Sequence, residues 1–270
     1  MRISTPEIEY YLKIHQQQSG TPWLLMLHGF MGSGRVFNHL MPLLKSYCNP
    51  VTLDMAGHGK TGHATGDERF STRNLVNDLN FIIGQLPNQP LYVYGYSMGG
   101  RLAFQYAALH NNKLEGLILE SSTCGYHTQK EARERKRADR KRAHEIEQHF
   151  QQFLNQWRQL PLFNTGRSPD AKLIQIYKQV QEQQSNVQMA RCLRGFGTGS
   201  MPLCQDRIKK VDLPVLLMAG EADKKFKAIN AAMHGLLPKS DLAIVPQAGH
   251  RIHLNRPELL AEHIHQFISK

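Results

Sequence analysis

The sequence offers nothing long enough to cross a membrane. Its longest apolar run, WLLML at residues 23–27, is the size of a strand, against the ~20 apolar residues a spanning helix needs. The opening residues, MRISTPEIEYYLKIHQQQSG, contain no apolar h-region, so no signal peptide is expected. None of the four cysteines, Cys48, Cys124, Cys192 and Cys204, belongs to a C-x-x-C pair. That leaves no zinc or iron–sulfur spacing and favours reduced thiols in a cytoplasmic protein. No metal and no organic cofactor is called for. There is no internal repeat, and the glutamine clusters are too brief to count as low complexity. Acidic residues are scarce, 22 Asp and Glu against 33 Lys and Arg, and the formal net charge is +11. Such a balance fits an anionic partner, whether nucleic acid, an anionic membrane surface or a small polyanionic substrate, and equally a chain that is simply basic.

What is present alternates. With 270 residues, 41% of them apolar, the chain can form one large α/β domain or a core carrying an insertion. Strands are expected at EYYLKI, WLLML, NPVTLDM, LYVYG, LEGLILESS, LPVLLMAG and DLAIVP. Between them lie amphipathic helices. SGRVFNHLMPLLKSY places Phe37, Leu40 and Leu44 on one face. STRNLVNDLNFIIGQL repeats Leu75, Leu79, Ile82, Ile83 and Leu86 behind a Ser/Thr cap, and PELLAEHIHQFI closes the chain. Short apolar strands alternating with such helices predict a mostly parallel sheet covered on both faces. The rhythm breaks over residues 124–212, where a charged run, KEARERKRADRKRAHEIEQ, precedes a glutamine-rich stretch holding Phe150, Phe153, Leu154 and Trp157. This segment reads as a helical cap inserted into a core made of residues 1–123 and 213–270.

The chemistry starts at Gly95-Tyr96-Ser97-Met98-Gly99, a G-x-S-x-G elbow in its required context between a strand and a helix. The glycines permit a strained turn that exposes Ser97 at the helix N-terminus, where positive partial charge favours a developing anion. A serine needs a base. His250, in PQAGHRIH, follows a strand near the C-terminus, and Asp223, in AGEADKKF, follows the strand before it. Glu221 and Glu120 are other acids able to orient the histidine. The order Ser97, Asp223, His250 is that of an α/β-hydrolase. The turn LHGFMGSG would aim the Phe30 N–H above Ser97, with the Met98 N–H as a second oxyanion donor.

Arg101 stands one helical turn after Ser97. Burying a guanidinium without a partner is costly, so Arg101 either meets an internal acid or awaits a substrate carboxylate, which its planar fork suits. In EARERKRADRKR, Arg133, Arg137 and Arg140 follow helical spacing, while Arg135 lies on another side with Asp139 four residues on. Most of these charges read as a solvated face, with one or two reaching the pocket.

The set LHGFMGSG, GYSMGGR, LESSTCGY, ERKRADRKRA, LRGFGTG, AGEADKKF and AGHRIHLNRPE resembles one branch of the α/β-hydrolases, the 2-succinyl-6-hydroxy-2,4-cyclohexadiene-1-carboxylate synthases of menaquinone biosynthesis. The likeness runs from about Trp23 to the C-terminus. It implies a lyase that removes a ring proton beside a succinyl ketone and expels pyruvate from a cyclohexene bearing three carboxylates. No water is added and no acyl-enzyme is needed. By this resemblance Ser97, His250 and Asp223 abstract the proton, Arg101 and Arg135 bind substrate carboxylates, and Tyr96 and Trp157 line the pocket. The family's further cap arginine has no counterpart here: Gln181 stands near its expected place, and Lys178 or Arg191 are possible substitutes. A monomer or weak homo-oligomer with a small polyanionic substrate, and no nucleic acid or membrane partner, is expected. Two rivals remain at this level. A carboxylesterase or C–C bond hydrolase would use the same triad, and an inactive fold would bind nucleic acid through the basic helix, although Glu131, Glu134, Asp139 and Glu145 dilute that helix.

Overall fold

A computed structural model describes residues 1–270. Eight strands form one sheet in the order β1-β2-β4-β3-β5-β6-β7-β8. They are β1 (Arg2–Ser4), β2 (Glu9–Ile14), β3 (Trp23–Leu27), β4 (Asn49–Asp54), β5 (Leu91–Tyr96), β6 (Gly116–Glu120), β7 (Val215–Gly220) and β8 (Ser240–Val245). The pairings from β4 to β8 are parallel, while β1–β2 and β2–β4 are antiparallel. The short β1 has no counterpart in the sequence reading, because three residues are too few to show alternation.

The central strands are apolar throughout because both faces are covered. Leu25, Val93, Leu117 and Leu217 point into one layer and Leu24, Tyr94, Ile118 and Leu216 into the other. Helices cover the sheet in chain order. The segment expected to be one helix from Ser33 splits into a 3-10 stretch, Gly34–Leu40, and a single α-turn, α1 (Met41–Leu44), since Pro42 has no N–H to donate to the carbonyl four residues back. Its apolar face is kept: Phe37, Leu40 and Leu44 are all buried. Next come α2 (Thr72–Ile83), whose Ser71 cap accepts from the Asn74 N–H, and α3 (Met98–Ala107).

Between β6 and β7 the chain contributes no strand to the sheet and its α-helices are α4 (Gln129–Gln148), α5 (Phe150–Arg158), α6 (Ala171–Glu182), α7 (Asn186–Phe196) and the single turn α8 (Gln205–Ile208). Thr128 and Glu131 close a capping box on α4, which fixes where the charged helix starts. Arg133, Arg137 and Arg140 are exposed, as a solvated face requires. The buried face of α4, Ala143 and Ile146, packs with Phe153, Leu154, Met189 and Leu193 in a separate small core. Met31, in the loop after β3, belongs to that core too, so the inserted helices rest directly on the loop that flanks Ser97. The chain ends with α9 (Lys224–His234), α10 (Ile252–Asn255) and α11 (Pro257–Ile268). No helix is long and apolar enough to cross a membrane.

One sequence expectation is corrected. Cys124 and Cys204 form a disulfide across 80 residues, while Cys48 and Cys192 are free and buried. The two sulfurs meet because the insertion leaves β6 and returns toward β7 at the same place: the Cys204 N–H donates to the Tyr126 carbonyl at 2.9 Å. No spacing rule registers a pair so far apart in the chain. The bond also removes the free-thiol ground on which the cytoplasmic expectation rested. Under denaturing, non-reducing conditions an alkylating reagent is expected to label two cysteines, rising to four after reduction. Reduction should lower unfolding stability by about 2–4 kcal/mol, measured by chemical denaturation.

Candidate active site

Ser97 sits between the last residue of β5 and the first of α3 with φ +52° and ψ −106°, a left-handed conformation that side chains rarely adopt. It is held there by backbone contacts that leave no room for a side chain. A Cβ on Gly95 would lie 2.4 Å from the Gly100 Cα, and one on Gly99 would lie 2.2 Å from the Leu27 carbonyl oxygen. Gly95 lets α3 press against β5 and Gly99 lets it press against β3, so the serine projects from the top of the sheet.

Two loops beyond the β7 and β8 ends complete a hydrogen-bonded line. Ser97 Oγ lies 3.2 Å from His250 Nε2, and His250 Nδ1 lies 2.7 Å from Asp223 Oδ2. The competing acids are engaged elsewhere. Glu221 accepts from the Gln247 N–H at 3.0 Å, and Glu120 binds His253 Nδ1 at 2.7 Å in the interior. His250 is buried against Phe226, with ring centroids 4.5 Å apart. Desolvation lowers its pKa below the ordinary imidazole value, partly offset by the hydrogen bond and charge of Asp223. The ring is therefore neutral, and able to take a proton, at neutral pH.

The Phe30 N–H has no acceptor in the chain, and Met98, first residue of α3, has no carbonyl one turn behind it within the helix. Both residues line the cavity above Ser97. His28, buried beneath this loop, accepts from the Met55 N–H at 3.0 Å and contacts the Gly29 carbonyl. That anchors the turn to the end of β4.

Arg101 resolves the choice posed by its position. It is buried and meets no carboxylate: one guanidinium nitrogen donates to the Phe196 carbonyl at 2.8 Å, and the group lies 5.0 Å from the Phe196 ring centroid. Burial pushes its pKa down to about 10, with the nearby Arg135 adding to the effect, so it stays cationic at neutral pH. Arg135 does find Asp139, at 2.7 Å, and Arg142 approaches the same carboxylate at 3.5 Å. Burial pulls the Arg135 pKa down, but the Asp139 carboxylate and the Tyr126 phenol outweigh it and hold the group above its usual value.

The cavity occupies about 140 Å³, and no Asp or Glu lines it. Tyr96 and Trp157 are both in its wall. Burial raises the Tyr96 phenol pKa, and its ring centroid is 5.5 Å from that of His250. The Trp157 indole N–H is buried without an acceptor. Of the residues considered for a further anion contact, Gln181 accepts from Arg158 Nε at 2.9 Å and Arg191 donates to the Ala64 carbonyl at 2.6 Å. Neither they nor Lys178 reach this cavity. The sequence reading missed Phe163, Tyr177, Lys225, Phe226 and Arg251, which do. Arg251, beside His250, and Lys225 and Phe226, two and three residues past Asp223 in AGEADKKF, carried a usable signal; Phe163 and Tyr177, on other elements, did not. One group has metal-ligand chemistry, Cys124, His127 and Cys204 within 4.8 Å of one another. Two of its three ligands are consumed by the disulfide.

A family model described as alpha/beta hydrolase fold matches residues 22–257. A Bacillus subtilis (strain 168) protein, provisionally named 2-succinyl-6-hydroxy-2,4-cyclohexadiene-1-carboxylate synthase, is 36% identical over 247 residues, 91% of this chain and 90% of its own length. A Pectobacterium atrosepticum protein of the same name is 28% identical over 254 residues, 92% of this chain and 94% of its own. Among solved structures, MenH from S. aureus superposes with a TM-score of 0.88 at 29% identity, covering 98% of both chains.

A fluorophosphonate reagent is expected to label the wild-type protein at Ser97 and to leave Ser97→Ala unlabelled. A lowered imidazole pKa keeps the base neutral further into acid, so labelling should fall with a midpoint below pH 6.5, read from rates between pH 4 and 9.

Proposed function

The chain belongs to the alpha/beta hydrolase family and, within it, to the 2-succinyl-6-hydroxy-2,4-cyclohexadiene-1-carboxylate synthases, and on that premise we propose how its site carries out their reaction. The substrate is 2-succinyl-5-enolpyruvyl-6-hydroxy-3-cyclohexene-1-carboxylate. His250, oriented by Asp223, takes the Ser97 proton, and the Ser97 oxygen takes the ring proton beside the succinyl ketone. The electron pair released moves toward the ketone oxygen, which the N–H groups of Phe30 and Met98 stabilise. Collapse of this enolate forms the second ring double bond and breaks the carbon–oxygen bond to the enolpyruvyl group. The His250 imidazolium returns its proton to the departing group, which leaves as pyruvate. No water is consumed and no acyl-enzyme forms.

The observation that carries this reading is Arg101, buried one turn from Ser97 without an acid. A hydrolase of neutral esters has no use for such a charge, whereas a polycarboxylate substrate supplies the missing partner. Arg135, steered by Asp139, is a second carboxylate ligand in this reading. Tyr96 and Trp157 pack against the ring. Residues 124–212 act as a cap that closes over the substrate.

In a coupled assay, with substrate formed in place from isochorismate, 2-oxoglutarate and the upstream thiamine-diphosphate enzyme, the protein should release pyruvate well above the spontaneous rate. Losing a charge-assisted contact of roughly 1.5–3 kcal/mol predicts a drop of about tenfold to a hundredfold in kcat/KM for Arg101→Ala. Background-level release together with brisk hydrolysis of simple aryl esters would instead establish a hydrolase.

A further inference from the structure

The pocket wall holds a second guanidinium that nothing in the chain neutralises. We propose that Arg251 receives a substrate carboxylate held by neither Arg101 nor Arg135; this rests on the polycarboxylate reading above. Arg251 directly follows His250, so its backbone is fixed by the same loop that presents the base. Its guanidinium carbon lies 4.0 Å from the Phe163 ring centroid and 4.5 Å from the Tyr177 centroid. Contact with two rings restrains the plane of the guanidinium while its donors point outward from the edge, the arrangement in which arginine takes a carboxylate with two parallel hydrogen bonds. Tyr177 is itself fixed from behind: its hydroxyl is 2.5 Å from His253 Nε2, and His253 is bound to Glu120. That network carries the buried acid, so Glu120 is engaged rather than available to Arg251.

No acid takes these donors, and the one polar side chain beside the guanidinium is the neutral Tyr96 phenol, whose pKa its hydrogen bond lowers against the effect of burial. Arg251 makes no ion pair with any Asp or Glu, and its Nε is buried without an acceptor. A buried unsatisfied donor is rare and costly in a folded chain. Of the other cations on the cavity, Arg135 and Arg142 share Asp139, Arg101 donates to the Phe196 carbonyl, and Lys225 lies near the Phe226 ring, 5.6 Å from its centroid, on a different element. Arg251 also borders a neighbouring cavity of about 360 Å³ whose wall holds Arg167 and Lys178 and no acidic residue, with Arg158 there paired to Glu182 at 3.0 Å. The wall of Phe163, Tyr177 and Arg251 therefore faces positive potential on both sides, which favours an anion between them. The cap helices lack an arginine free to reach the reaction cavity from α6. Arg251 supplies that charge from the histidine loop instead.

The probe is tricarballylate, a plain tricarboxylate, with its trimethyl ester as the uncharged match. Their dissociation constants are measured by how well each protects Ser97 of the full-length protein from a fluorophosphonate. Arg251→Ala should bind tricarballylate at least tenfold more weakly, bind the triester as the wild type does, and raise KM more than it lowers kcat in pyruvate release. Arg251→Lys should recover only part of the loss, because an ammonium lacks the planar fork. Phe163→Leu, which removes one restraining ring and keeps the charge, should fall between Arg251→Ala and wild type, and it serves if Arg251→Ala fails to fold. Unchanged tricarballylate affinity, or an equal loss for the triester, would overturn the assignment. Wild-type protein that binds tricarballylate through Arg251 yet releases no pyruvate would overturn the lyase reading and leave Arg251 standing as a carboxylate site.

Discussion

The structure depends on the close approach of α3 to β3. Gly99 lies so near the Leu27 carbonyl that any side chain there would collide with the backbone, and this contact holds Ser97 in its left-handed conformation. The strain is sustained because β5 is the middle of the sheet, flanked by β3 and β6 and buried on both faces. From that fixed point the other parts are placed by topology. Strands β3, β7 and β8 all run parallel to β5, so the loops carrying Phe30, Asp223 and His250 leave the sheet at the same edge as Ser97. Parallel strands with right-handed crossovers make such a meeting of distant residues routine.

The second constraint is charge. The cavity is lined by arginines and no acid, an arrangement that is self-repelling. Asp139, buried on α4, offsets part of this by pairing with Arg135 and Arg142. Arg101 and Arg251 receive no such help and are instead held by carbonyl and ring contacts. These contacts orient the guanidinium groups without neutralising them, which preserves their attraction for an anionic ligand. Part of the excess positive charge of the chain nevertheless faces solvent on α4, where exposed Lys130, Arg133, Lys136, Arg137, Arg140 and Lys141 outnumber exposed Glu131, Glu134 and Glu145, and adds to long-range attraction of anions rather than to any one contact.

The inserted helices tie these two constraints together. Their small core includes Met31 and packs against Phe30 and Trp157, so the inserted helices, the loop after β3 and the cavity wall form one packed unit. The disulfide fastens both roots of the insertion beside β6 and β7. Its place there restrains where the inserted helices join the sheet rather than the helices themselves.

The local chemistry was legible along the chain. Apolar runs with turn residues marked seven of the eight strands: the central ones because strands buried on both faces must be apolar throughout, and β2 because its buried residues alternate with exposed ones. The elbow at Ser97, the order of Asp223 and His250, and the position of Arg101 were equally plain, since each depends on residues within a few positions of a strand end. What sequence could not supply was which side chains meet across the fold. Asp223 was separated from Glu221 and Glu120 only by where each carboxylate lies around His250. Whether Arg101 had an internal acid, whether Cys124 found Cys204, and whether Arg251 faced solvent or the cavity were also settled by tertiary contacts between residues tens of positions apart. Periodicity and motif spacing encode the backbone path and the chemistry placed upon it. The pairing of charges and thiols depends on distances that only the packed chain fixes, because each partner is chosen by proximity in space and not by order in sequence.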